Sequence, residues 1–407
     1  MPTTRRIFCI EAATLLISPW LPAQSLHPQT STARPDVAAI DHDRILGAAQ
    51  SYLAQVPTPL TTLPCKRSPG SPQDFYSEAE DYWPDPAKPT GPYVQRSGPP
   101  NPAAFTAHRD ALLKLAIEVP TLAAAFVLTK EERYAEHAIR HLRAWFVDPR
   151  TRMTPSLLYG QMIVPAKEGR FEGILETVHL AEVAQAIPFL ANAEAFTKAD
   201  FDGLRSWFAA YLEWLNSSRL AGLARDQKNH HGSSWLLQEA AFSRLNLALN
   251  PNADDTPLSV LRHRYQTVTI RAQIAADGTF PHELTTANPY RMSLFNLDML
   301  AACCLLLSTR FESAWEYELQ DGPGMRAAMA QHFPYIQNRG AWPYVADAEY
   351  FGDLPLRQPS LLFAAHAYTR PEYADLWKTL PADTEIARLQ RTFPIRQPLL
   401  WVTRSKP

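Results

Sequence analysis

Apolar residues recur at helical spacing through most of this chain and almost nowhere with the strict alternation of a half-buried strand. Residues Ala107–Leu128 place Leu112, Leu115, Ala116 and Val119 on one face, and Glu131–Val147 follows, stopped by Asp148-Pro149. A helix is predicted from about Gly173 to Leu190. Another begins at Thr197, an N-cap with Asp200 three positions on, and carries Phe201, Leu204, Phe208, Tyr211 and Leu215 as a stripe. Further helical segments are expected at 233–248, 257–275, 294–308, 322–333, 358–369 and 383–391. There is no βαβ rhythm and no glycine-rich phosphate loop. Connections that alternate short and long suit antiparallel helix hairpins. Set around an axis, such hairpins make an all-α fold, an (α/α) toroid or incomplete α/α barrel, with the long loops forming a cleft at one end. An irregular helical bundle is the alternative.

The expected organisation has three parts. Residues 1–25 read as an export signal: Arg5-Arg6, an apolar run from Ile7 to Leu21, then Pro22-Ala23-Gln24-Ser25. Thr4-Arg5-Arg6-Ile7-Phe8 has the twin-arginine pattern, so a periplasmic or secreted location is expected. Glu11 interrupts the run, which is short for a membrane span, and no later segment is expected to span either. Residues 26–56 are expected to hold a poorly ordered polar stretch and a first helix, and 57–400 a single domain. Between Pro57 and Pro102 the chain is dense in Pro, Gly and Ser, yet it contains Tyr82-Trp83-Pro84-Asp85-Pro86 and Gly91-Pro92-Tyr93. That composition predicts an ordered loop packed on a rim. With 39 Lys and Arg against 41 Asp and Glu, nothing favours a nucleic-acid partner or a polybasic membrane surface. Cys303 and Cys304 sit in a leucine-rich helix and read as small buried hydrophobes, and no cysteine spacing suggests a zinc knuckle or a disulfide framework.

Two polar clusters stand out. Asn229-His230-His231-Gly232 precedes a helix with Trp235 and Gln238. Some fifty residues later comes Asp277-Gly278-Thr279-Phe280-Pro281-His282-Glu283-Leu284, then Tyr290-Arg291. Adjacent histidines point in different directions and rarely both serve packing. Together the clusters supply imidazoles, an amide, a phenol and a guanidinium, the groups needed to bind a carboxylate and remove the proton beside it.

From about Tyr82 to Pro359 the chain resembles the alginate lyase family of α/α-toroid polysaccharide lyases, which includes alginate and glucuronan lyases. The resemblance rests on Tyr82-Trp83-Pro84-Asp85-Pro86, Asn101-Pro102, Arg143-Ala144-Trp145-Phe146 and Thr151-Arg152-Met153. It continues through Tyr159/Gln161, Gly169-Arg170 with Gly173-Ile174, Lys228 to Gly232, Asp277 to Pro281, Glu283-Leu284, Ser293 to Leu297 and Trp342-Pro343-Tyr344. Two departures matter. The family usually has Asn-Asn-His-Gly where His230 precedes His231 here. Thr286 and Met292 stand where the family places an arginine and a second tyrosine.

The resemblance implies cleavage of an acidic polysaccharide at C4–O4 by β-elimination. The C5 proton leaves only if the adjacent carboxylate is neutralised, and donors aimed at it each contribute a few kcal/mol. A base takes the proton and an acid protonates the departing oxygen. One tyrosine can do both where the two lie on one face of the ring, as in mannuronate. Where they lie on opposite faces, a histidine base and a tyrosine acid divide the work. The implied roles are His231 as base or carboxylate neutraliser, Tyr290 as acid or as both acid and base, Asn229 and His230 as carboxylate grips, and Arg291 in place of the missing arginine. Arg152, Tyr159, Gln161, Arg170, Trp235, His282, Trp342 and Tyr344 are the expected substrate-binding residues. For Arg170 an ion pair with Glu172 or Glu176 weighs about equally, and Glu283 reads as structural. No cofactor or metal is implied, and a monomer is expected. The competing readings are a glycoside hydrolase using Asp277 and Glu283, and a uronate-binding homologue with weakened activity.

Overall fold

The computed structural model describes residues 35–403 apart from Pro89 and Pro251. The expected export signal lies outside the described residues. The first helix, α1 (Val37–Tyr52), starts within the stretch expected to be poorly ordered and turns Val37, Ile45 and Ala49 into the core. The proline-rich segment is ordered and contributes β1 (Tyr76–Glu78), β2 (Tyr82–Trp83) and β3 (Val94–Gln95). Next come α2 (Ala107–Thr129) and α3 (Glu132–Leu142), the latter continuing as a π turn to Val147. Strand β4 (Tyr159–Met162) pairs in parallel with β1, and β2 pairs antiparallel with β3.

The helix expected from Gly173 breaks into a 3₁₀ stretch, Phe171–Thr177, and α4 (Leu180–Leu190). Then follow α5 (Lys198–Ser217), α6 (Arg219–Arg225), α7 (His230–Leu249), α8 (Thr256–Arg264) and α9 (Ile270–Gln273). The rest is α10 (Pro289–Leu307), α11 (Met325–Gln337), α12 (Pro359–Tyr368), α13 (Pro371–Thr379), α14 (Ala387–Arg391) and α15 (Leu399–Val402). At α5 the Thr197 hydroxyl and the Asp200 carboxylate cap each other's backbone amides, so the capping box read from sequence is present. Arg143 clamps the same carboxylate at 2.6 and 2.7 Å, tying α3 to α5.

Helices α2, α4, α7, α10 and α12 touch in that order and form an inner layer. Helices α1, α3, α5, α8, α11 and α13 back them from outside. This is the α/α toroid. The inner helices are apolar nearly all round, as burial on every side requires. Two of them, α2 and α10, are apolar and long enough to cross a bilayer by length and composition alone, and both are mostly buried within the protein.

The ring is incomplete, and residues 393–401 fill the opening. Glu182 of α4 accepts the backbone N–H groups of Arg396 and Gln397 at 2.7–3.0 Å and the Trp401 indole at 3.3 Å. Gln397 reaches Thr121 of α2, Arg44 of α1 donates to the Arg396 carbonyl, and the Trp401 ring lies against Phe363 of α12. Burial pushes Glu182 up to about 7 against the pull of those donors. Because inner and outer helices alternate along the chain, the inner helices begin at one end of the ring, where the long loops gather.

Candidate active site

Helix α7 begins three residues earlier than its apolar pattern suggested, which puts both histidines in its first turn. Asn229 is the N-cap. Its side-chain oxygen accepts from the His231 backbone N–H at 3.2 Å and lies 3.1 Å from His231 Nδ1. An amide oxygen can only accept, so Nδ1 carries the proton and Nε2 the lone pair. Gly232 is required next: a Cβ there would sit 2.3 Å from the Gln227 carbonyl oxygen.

Behind the turn lies Glu283, fully buried, accepting the His230 backbone N–H at 2.6 Å and meeting His230 Nδ1 at 2.7 Å. The two imidazole rings are 4.3 Å apart. Among the described residues neither Nε2 has a hydrogen-bond partner, and neither is a sealed, unpaired polar atom, so both edges reach solvent. Burial holds His231 well below the ordinary histidine range, and the charges of His230 and Arg170 add to the effect. His231 is therefore neutral near pH 7. A neutral imidazole with Nδ1 anchored and Nε2 open has the form of a general base.

Arg170 is delivered by a close backbone crossing. Gly160, Gly169 and Gly173 let β4 and the chain at 169–173 touch, and a Cβ on Gly169 would lie 2.1 Å from the Gly160 carbonyl. Arg170 is paired with Glu172 and sits 5.2 Å above the Tyr82 ring, while the next residue, Phe171, meets His231 edge-on at 5.4 Å. The ion pair and the place beside His231 are both real. Gln161 has a left-handed backbone, φ +56°. Its N–H donates to Ser77 and its side chain to the buried Glu176 at 2.6 Å. Gln161 and Glu172 also line a cavity of about 190 Å³ with Arg109, His179 and Arg391. Tyr159 is half-buried beside Gly70, and among the described residues its hydroxyl has no hydrogen-bond partner.

Several expectations are corrected. Tyr290 lies in the first turn of α10 rather than ahead of it. The residue is fully buried, its hydroxyl donates to the Tyr335 carbonyl at 2.9 Å, and its ring packs edge-on against Trp342 and Phe351. It is built as a core residue. Arg291 is also buried. Asp347 accepts the backbone N–H groups of residues 290 and 291, and the guanidinium acts among Asp347, Glu349 and Arg388, whereas the charges felt by His231 are those of His230 and Arg170. Trp235 is buried, donates to the Leu215 carbonyl and lies under Arg264, behind α7. Arg152 borders a different pocket with Ser206, Trp207 and Ala210 of α5. Trp342 is buried and bonded to its own loop at the Val345 carbonyl, with Tyr344 half-exposed on top. His282 is exposed, and its carbonyl accepts from Thr285. Thr286 is spent on the Glu283 carbonyl.

Phe171 beside His231, and Arg109 and Arg391 lining the cavity with Gln161, were not singled out in the sequence, and Glu283, read as structural, is bonded to His230. Arg391 had no local signal, because it arrives from 161 residues beyond His230. Among the described residues no group of three or more His, Cys, Asp or Glu side chains is set to hold a metal ion.

An α/α ring carrying a neutral imidazole beside an arginine fits a polysaccharide lyase of the toroid class. The chain belongs to the alginate lyase family, which it matches over residues 63–342. Among solved structures it is similar to an alginate lyase from Bacteroides ovatus, 26% identical with a TM-score of 0.75, covering 88% of this chain and 94% of that one. The fold also matches alginate lyase A1-III from Sphingomonas species A1, at 17% identity and TM-score 0.50 over 86% and 93% of the two chains. A histidine-to-alanine variant of A1-III complexed with a tetrasaccharide matches at 15% identity and TM-score 0.55 over 93% and 99%. No curated protein matches the chain.

Proposed function

We propose that this polysaccharide lyase cuts a uronate polymer (alginate, polymannuronate or glucuronan) by β-elimination, leaving an unsaturated uronate at the new end. The observation that carries the reading is the neutral, anchored His231 with Nε2 open to the cleft beside Arg170. His231 removes the C5 proton. The Asn229 amide nitrogen, His230 and Arg170 face the substrate carboxylate and hold the charge that develops on it. With Tyr290 withdrawn into the core, the proton for the departing O4 comes from another phenol, and the unpartnered Tyr159 hydroxyl is the one assigned. Residues 1–25 direct export, so the enzyme meets its polymer in the periplasm or outside the cell, as a monomer.

The test is ultraviolet absorbance over time with polymannuronate, polyguluronate and glucuronan, since elimination alone creates a conjugated uronate. New reducing ends without an absorbance rise would mean hydrolysis and overturn the reading. Met292 and the buried Tyr290 favour one rival, a uronate binder with weakened turnover, which would show oligouronate binding and no absorbance change.

A further inference from the structure

We infer that Glu283 and His230 work as a dyad in which Glu283 positions His230 as a doubly protonated imidazolium, its Nε2–H donated to the substrate carboxylate. This rests on the elimination reading of the same site.

Glu283 is completely buried, and its carboxylate oxygens have two partners, the backbone N–H and the Nδ1 of His230. A buried carboxylate without a counter-charge is costly, and the histidine ring is the group placed to supply one. The two contacts also fix the ring. One oxygen holds its backbone, the other its Nδ1, and Phe295 lies 5.8 Å away. The Nε2 edge is left with the cleft as its only outlet. The same charge acts on His231, which it helps to keep neutral. Adjacent residues of one helical turn thus take opposite forms, one cationic and one a free base.

The arrangement also answers a loss. Thr286 brings no charge where the family resemblance calls for an arginine, and its hydroxyl is turned back onto the Glu283 carbonyl. Arg291 is buried among Asp347, Glu349 and Arg388. A cation on His230 restores positive charge at the carboxylate. Glu283 does not touch substrate and acts through His230 alone.

The test is a double-mutant cycle with two readouts, kcat and KM for elimination and calorimetric binding of an oligouronate. Glu283→Gln is expected to lower kcat/KM by about 30-fold or more. In a His230→Asn background the same change should add less than about threefold, because the residue it acts through is gone. Equal losses in both backgrounds would mean that Glu283 only supports the backbone, and would overturn the dyad. Independently of any variant's folding, ¹⁵N spectroscopy of the parent protein at neutral pH should show both His230 nitrogens protonated, and a lone pair on Nε2 would overturn the proposal. If the parent releases no absorbing product from any polymer, the elimination reading fails, while the nitrogen spectrum and oligouronate binding still decide the dyad.

Discussion

Helices α7 and α10 are neighbours in the inner ring, yet their first turns are made in opposite ways. The α7 turn is capped by its own Asn229, presents two imidazole edges to the cleft and is backed by a buried carboxylate. The α10 turn is capped from a distance by Asp347, and it spends its phenol on the Tyr335 carbonyl and seals its guanidinium inside. Capping by a side chain of the same turn leaves the surface ahead of the helix open. Capping by a carboxylate from another loop covers that surface with the loop. Polar residues at a helix start thus stay available for chemistry when the cap is local, and of these two turns it is α7 that leaves imidazole edges unbonded.

The comparison breaks most readily at His231. His231→Ala should lower elimination by on the order of a thousandfold, while stability stays within about 1–2 kcal/mol by thermal unfolding, since a cleft-edge ring adds little packing. Activity close to the parent's would remove α7 from the chemistry. Next in size is Arg170→Ala, expected to raise KM about tenfold with a smaller change in kcat, because a carboxylate grip is lost but the base remains.

The pH profile sharpens the same point. A base must be unprotonated to act, and His231 is held below the ordinary histidine value of 6.5, so the acid limb of kcat/KM should lie below that value. A limb at or above that value would mean that another group takes the proton. Tyr290→Phe should have little kinetic effect, within about threefold, and cost about 1 kcal/mol through the lost bond to Tyr335. A hundredfold drop in turnover would return α10 to the mechanism.

The smallest expected effect is a control from the middle of α7. Burial pushes Glu239 up to about 8, with Asn216 as its hydrogen-bond partner. Its folded-state value is raised, so the stability it confers is complete below about pH 4.5 and is lost as pH rises towards 8. Glu239→Gln should therefore raise the melting temperature at pH 8 and leave it nearly unchanged at pH 4. The opposite order would show that the carboxylate is ionised in the fold.

The ring of helices was legible in sequence because each long helix writes its own period. Ala107–Leu128 lies within one residue of α2, and the Thr197 capping box is present. Helix starts were less legible. Apolar spacing marks where burial begins, and both α7 and α10 begin earlier, in turns held by polar caps. The pairing of Asn229 with His231 was legible because cap and ring belong to one local motif. Tyr290 was misjudged because burial of a phenol depends on Tyr335, Trp342 and Phe351, which are distant in sequence. Trp235 failed similarly, since helical spacing does not say which side of an inner helix faces the cleft.

The segment at 393–401 has a consequence for how the molecule comes to exist. Glu182 and the Arg396 amide it holds are 214 residues apart. The ring therefore has a sealing piece that leaves the ribosome after every helix it seals. Until it arrives, a carboxylate, a threonine and the flank of α12 stand open along one seam, and the inner helices have no fixed circumference. Contacts so distant in sequence make closure slow relative to the formation of each hairpin. The order of synthesis then becomes the order of assembly: hairpins first, circumference last, and the cleft takes its final width only when that late stretch is in place.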